Sequence, residues 1–382
     1  MGNPRLLRVL NERRLLDQLH DHGPASRADL AKITGLSKPT VSAALAGLEE
    51  DGLVHLVGEV SGRPGPVTSL YDMNAASAHV AGIDIGRDWI RVAVADLRGA
   101  FVGRTDGRNT ARSSSELAEA VGDLARAAAR EADLPWNSIT GAVAGTPGVY
   151  DQAAGRLEFA PNLPDPDIAD RLRSALEVDL VIENDINLAA VGEHAYGEGQ
   201  GKANFALVSV GTGVGMGIVV NGELYVGARG AAGEVSYLPA AEDPVLGEDA
   251  LAHGSTEAVA AAPGVVRAAR AAGLDLSTAK AVFSAAASGD AVARTVVENE
   301  GRRIGALLVA VAAVLDPEVI VLSGGVGRNL ELLGAAIESR IAELGPLRPS
   351  IVPSALGDSG VLLGAVAHAR SRAWDLIFDA RR

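Results

Sequence analysis

Apolar residues in the first 75 positions fall into three helical stretches and two short extended ones. Leu6, Leu7, Leu10, Leu15, Leu16 and Leu19 recur at helical spacing, and the pattern stops at His22-Gly23-Pro24. Ser26 stands where an N-cap belongs, with Asp29 placed for a capping box, so a helix is predicted over Arg27–Thr34 with Gly35 as its turn. Ser37 opens a third helix, Lys38–Glu50, with Val41, Ala44, Leu45 and Leu48 on one face and Gly52 at its end. Leu53–Val60 and Val67–Tyr71 flank the turn Ser61-Gly62-Arg63-Pro64-Gly65 and predict a two-stranded wing.

From about residue 79 the pattern turns to strands alternating with helices, the mark of an α/β body. Strands are expected near 80–85, 89–96, 100–105 and 139–145, and again near 204–210, 214–220 and 223–226. Helices are expected over 186–196, 290–314 and 327–344, the last two around a buried strand at Val319–Leu322, and a final helix follows Gly357. The segments AGIDIGRDWIRVAVADLRGAFVGR and ALVSVGTGVGMGIVVNGELYVGAR share one plan: strand, glycine-containing turn, strand, short turn, strand. They point to a duplicated unit, against the alternative of two unrelated glycine-rich meanders.

Composition narrows the choices. A chain of 382 residues, 48% apolar, is long enough for two or three domains. Without a cysteine it has neither disulfides nor thiolate metal sites, and no metal or other cofactor is expected. The start lacks the apolar core of a signal peptide and no long uncharged apolar run follows, so a cytoplasmic protein without membrane contact is expected. The net charge of −14 argues at first against nucleic acid. Residues 1–48, however, carry seven Lys or Arg against four acids, 7 − 4 = +3, and most of the acidity lies beyond residue 75. A basic head on an acidic body still binds DNA, with less non-specific affinity.

In that head, short polar side chains at the start of the third helix suit entry into a major groove. Ser37, Lys38, Thr40 and Ser42 are the candidates for contact, and Arg63 on its Gly-Pro-Gly tip is placed to enter the minor groove. A three-helix protein-interaction module is the competing reading. A head this weakly basic implies a homodimer or tetramer on a palindromic operator.

The body carries AGTPGVYD at 144–151, APNLP at 160–164, ENDINLAAVGE at 183–193, GTGVGMGI at 211–218 and AAGEVSY at 231–237. LDPEVIVLSGGV at 315–326 and ALGDSGVLLGA at 355–365 follow. With the winged head ending in SGRPGPVTSLY, their order and spacing make the chain resemble, over essentially its full length, the ROK family of bacterial repressors and sugar kinases. The resemblance implies a winged helix-turn-helix over 1–74 and an α/β, actin-like body over 75–382. That body is a duplicated ribonuclease H-like fold with two lobes, 75–185 with the C-terminal helix 357–382, and 186–356.

It also implies a sugar in the cleft, and the residues suit one. Asn162, Asn184, Asp185 and Glu234 offer amides and carboxylates to a ring of hydroxyls, although Asn184 is equally placed to cap a helix and Glu234 to be a surface acid. Asp185 matches the family's catalytic base, which also holds a hydroxyl without chemistry. Tyr237 stands at the position of a histidine that contacts both sugar and zinc in the kinases, and Glu248 matches a further sugar-site acid.

The first phosphate loop departs from the family's Asp-Ile-Gly-Gly-Thr. After Gly86 come Arg87 and Asp88, a side chain in the path of the phosphates and a carboxylate that repels them. The loops at Gly211-Thr212-Gly213 and Gly324-Gly325 are intact, as vestigial nucleotide loops. The expectation is therefore a DNA-binding regulator, a repressor of carbohydrate metabolism, responsive to a sugar bound in a degenerate kinase cleft. Its rivals are an active ATP-dependent sugar kinase that also binds DNA, and a regulator controlled by a protein partner.

Overall fold

The computed structural model of the chain describes residues 4–60, 68–151, 156–158, 167–239, 250, 253–379 and 381. Arg63, Asn162 and Glu248 lie outside the described residues.

The head follows its capping residues. Helix α1 runs Pro4–His22, α2 Arg27–Thr34 and α3 Lys38–Glu50. Ser26 Oγ accepts the Asp29 N–H at 3.1 Å while Asp29 reaches back to the Ser26 N–H, closing the capping box, and Gly35 ends α2 in the left-handed region at φ +69. Strands β2 (Val54–Val60) and β3 (Thr68–Met73) pair antiparallel. A two-residue strand absent from the sequence reading, β1 (Ala25–Ser26), adds to β3. Ser26→Ala removes the buried cap and should destabilise the protein by about 1 kcal/mol, read as a lowered denaturant midpoint without loss of secondary structure.

The body repeats one unit. In the first sheet, β4 (His79–Ile85), β5 (Trp89–Asp96) and β6 (Phe101–Arg108) form an antiparallel meander, and β7 (Ile139–Thr146) and β10 (Leu180–Asn184) add parallel to β4. The order is β10-β7-β4-β5-β6. In the second, β11 (Phe205–Val210), β12 (Val214–Val220) and β13 (Glu223–Leu224) make the meander, while β14 (Val319–Ser323) and β15 (Ile351–Pro353) add parallel to β11. Its order, β13-β12-β11-β14-β15, is the same plan. The two similar segments are the two meanders, so the duplication is real rather than a coincidence of glycines. Two short strands, β8 (Val149–Asp151) and β9 (Arg156–Glu158), form a separate ribbon.

Helices lie where parallel strands need crossovers. Ser114–Glu131 links β6 to β7 and Ile168–Leu176 precedes β10; neither was placed from the sequence. Between β13 and β14 run Ser255–Ala260, Ala262–Ala271, Ala279–Ala287 and the long Ala291–Leu315. The helix Asp185–Tyr196 follows β10 directly. The terminal helix, Gly360–Asp379, lies on the first sheet and against Asp185–Tyr196. One apolar core includes Leu16, Leu45 and Leu48 of the head together with Val143, Leu188, Leu362, Val366 and Phe378 of the body.

Candidate functional site

Between the two sheets opens a cleft of about 1140 Å³, more than a drug-sized ligand needs. Its floor is made where β10 gives way to the helix at Asp185. Asn184 is that helix's N-cap: Oδ1 accepts the N–H groups of Ile186 at 2.9 Å and Asn187 at 3.1 Å, and Nδ2 donates to the Gly148 carbonyl at 3.0 Å. The capping alternative is thus the observed one, and a ligand finds at most one Asn184 N–H unused.

Asp185, one residue on, lines the cleft. Burial lifts its carboxyl to about 6, the nearby charges of Asp84 and Glu234 lift it too, and the backbone N–H groups of Ile186 and Asp185 pull the other way. Asp84, at the end of β4, is 5% exposed and ion-paired with Arg91 of β5 at 2.7 Å, its partner in strand register. Its carboxyl is held above the usual range by burial, against the pull of Arg91.

The first loop is a tight turn in which the Gly86 N–H donates to the Trp89 carbonyl at 2.9 Å and Asn109 Nδ2 donates to Gly86 O at 2.9 Å. Arg87 lines the cleft and is exposed; Asp88 is not among the lining residues. Arg87 is thus the altered residue that reaches the cleft wall, with the exposed Asp88 next to it. Trp89 lies beneath the Arg108 guanidinium, 4.4 Å from its ring centre.

On the far wall, Gly211-Thr212-Gly213 joins β11 to β12, and Gly324-Gly325 follows β14; all five line the cleft. A Cβ on Gly324 would lie 2.3 Å from the Val210 carbonyl oxygen, and its φ is +84, so fold geometry alone demands glycine there. Gly233 is equally constrained, since a Cβ would meet Met216 O at 1.9 Å at φ +94. That turn delivers Glu234 and Tyr237 to the cleft.

Sequence reasoning missed Glu257. From the helix Ser255–Ala260 its Oε2 accepts the Val214 N–H at 2.9 Å, anchoring the second loop. The only signal was an acid four residues after His253, whose Nδ1 is 3.9 Å from Glu257 Oε1. Burial raises the carboxyls of both Glu234 and Glu257, and Glu257 raises Glu234 further. Tyr237 is raised by burial and by both acids. The cleft thus joins Asp185, Glu234, Tyr237 and Glu257 with the amide edge of Asn184, a set of acceptors and a phenol suited to a polyhydroxylated ligand.

A second surface lies on the head. Lys38 and Ser42 are exposed on α3 and Thr40 is half-buried. Ser37 Oγ accepts the Thr40 N–H at 3.3 Å and shares a 2.8 Å hydrogen bond with its hydroxyl, so Ser37 serves first as the cap.

The comparisons with known proteins fit both surfaces. The ROK family model matches residues 80–372, and the MarR family model matches residues 10–63. A putative xylose repressor of Caldicellulosiruptor is 30% identical over 244 residues, 62% of this chain and 60% of that protein, so the chain spans about three-fifths of it. A glucokinase of Halalkalibacterium halodurans is 30% identical over 65% of this chain and 80% of its own length. The DNA-binding transcriptional dual regulator NagC of Escherichia coli is 26% identical over 358 residues, 89% of this chain and 86% of NagC. Among solved structures, a ROK family transcriptional regulator homologous to the Escherichia coli MLC protein superposes with a TM-score of 0.81. It covers 98% of both chains at 21% identity, a likeness of fold.

Proposed function

The chain belongs to the ROK family, and on that premise we propose that it is a DNA-binding regulator of carbohydrate metabolism. Its cleft binds a sugar or sugar derivative without phosphorylating it. What supports this reading is the combination in one fold of a winged head exposing Lys38 and Ser42 and a cleft lined by Asp185, Glu234, Tyr237 and Glu257, joined by a shared core. Repressors among the relatives support it. The protein acts as a homodimer or tetramer on a palindromic operator, with Lys38, Thr40 and Ser42 in the major groove and Arg63 at the minor groove.

The non-enzymatic part rests on the first loop. Phosphoryl transfer needs backbone N–H groups close to the phosphates. Arg87 stands where the resembled kinases carry the small residue that permits this, and its side chain lines the cleft. No metal or other cofactor is required by the proposed function. Two observations favour a second reading, an active sugar kinase: Gly211–Gly213 line the cleft, and Asp185, its carboxyl lifted by burial to about 6, is suited to act as a base.

Melting curves with a panel of monosaccharides, sugar phosphates and ATP–magnesium test the proposal. The expected result is stabilisation by one sugar compound alone. Stabilisation by ATP together with turnover of a hexose would establish the kinase instead. Lys38→Ala should weaken binding to the operator by about 1–3 kcal/mol and relax its sequence preference, with a smaller loss on unrelated DNA, measured by fluorescence anisotropy on both DNAs.

A further inference from the structure

The terminal helix runs from the helix that begins on the cleft floor, Asp185–Tyr196, to the winged head. At its start it crosses the Asp185–Tyr196 helix backbone to backbone. A Cβ on Gly192 would lie 2.4 Å from Gly360 O, and one on Gly364 would lie 1.7 Å from Leu188 O. No side chain cushions that crossing, so the two helices move together or separate altogether. The first residue of the crossed helix is Asp185, on the cleft floor. The terminal helix then runs 20 residues, about 30 Å at 1.5 Å per residue, into the head.

At its far end it is fastened by charge and by packing. Phe378 is 1% exposed within the core shared by head and body, and Arg13 of α1 lies over its ring while pairing with Asp375 at 2.8 Å. Arg381, just past the helix, donates to Glu12 Oε2 at 2.8 Å and pairs through its other nitrogen with Asp51, the C-cap of α3. Glu12 is itself 1% exposed, and Arg8 takes its other oxygen at 2.8 Å. Glu12 and Arg8 pack against Gly47 of α3, where a Cβ would be 2.6 Å from both side chains. A buried carboxylate held by two guanidiniums is costly to uncouple once one partner is removed. The single arginine therefore ties α1 and the end of α3 to the helix that packs against Asp185–Tyr196.

We infer that the terminal helix is the lever by which the cleft sets the orientation of the recognition helix, and that Arg381 is its coupling contact. The use of this lever rests on the regulatory reading above, but the lever itself does not need DNA or sugar to be tested. Hydrogen exchange is followed on the full-length wild type, Asp185→Asn, Arg381→Ala and the double variant. Asp185→Asn, by removing the cleft charge, serves as the perturbation in place of a ligand. Arg381→Ala alone should lower protection in residues 4–22 and 38–50 while leaving 185–196 unchanged. Asp185→Asn should change protection of residues 38–50, taken relative to residues 205–210 of the second sheet, at least about fivefold in the wild-type background and less than about twofold beside Arg381→Ala.

Equal effects in the two backgrounds, or no effect on residues 38–50, would overturn the inference. Glu12→Gln, which keeps the shape of the buried side chain, provides the same cycle should Arg381→Ala not fold. Failure of the regulatory reading has a different signature, absence of DNA or sugar binding with this exchange pattern intact.

Discussion

Gly364→Ala should cost about 3 kcal/mol or more of stability, and should loosen the cleft with it. The added methyl would sit 1.7 Å from the Leu188 carbonyl oxygen and 2.9 Å from the Gly192 N–H nitrogen, both backbone atoms that cannot rotate away. The two helices must then part, and their contact is continuous with the core shared by head and body. Alanine's better helix propensity, about 1 kcal/mol over glycine, is too small to offset this. Gly334 provides the contrast: it lies inside the helix Leu330–Leu344, and a Cβ there meets only Leu330 Cγ at 4.0 Å. Gly334→Ala should therefore stabilise by up to about 1 kcal/mol. Denaturant melts of the two variants side by side check both signs.

Asp185→Asn should raise stability and weaken the ligand at once. Its carboxyl lies near 6 in the folded protein against an ordinary 3.8, so the fold carries an unfavourable charge whenever Asp185 is ionised. A raised carboxyl favours the folded state's protonated form, so stability falls as pH rises from about 4 to about 6 and stays lowered above that. Asparagine carries no charge and escapes the penalty. At pH 8 the variant should be more stable by roughly 3 kcal/mol, and at pH 3 the two proteins should melt alike. Losing a charge-assisted hydrogen bond to a hydroxyl should cost the sugar complex on the order of tenfold in affinity. A functional group that destabilises the free fold and tightens a complex behaves in this way; a structural aspartate would lose stability on substitution.

Much of this architecture is legible in the residues because local signals agree with tertiary ones. Ser26 with Asp29, Gly35, Ser37 and Gly52 mark the head's helix ends by chemistry that acts within four residues. The repeated meanders are legible since each needs glycine turns between apolar strands. The crossover helix Ser114–Glu131 is harder to find, as Ala118, Ala125, Ala128, Ala129 and Gly122 fill much of its buried face in place of large apolar residues. The two-residue β1 owes its existence to pairing with β3, Ala25 with Tyr71 and Ser26 with Leu70, and has no local pattern of its own.

The site divides in the same way. Asp185, Glu234 and Tyr237 belong to motifs and line the cleft. Asn184 is in place but its amide is engaged by the helix start, a competition that sequence cannot rank because it depends on the Gly148 carbonyl. Glu257 lies outside every recognised motif. Its role arises from the approach of the Ser255–Ala260 helix to the second loop, a contact over 43 positions. The Arg381 contact with Glu12 spans 369 positions and is invisible without the fold.

The most direct test of the account is the affinity of the full-length protein for the DNA flanking its own gene, measured by anisotropy with and without each monosaccharide. A change of at least about fivefold with one sugar or sugar derivative, in the absence of ATP, is the predicted result. Tight DNA binding that no sugar compound alters would contradict the account, as would phosphorylation of the sugar that alters it.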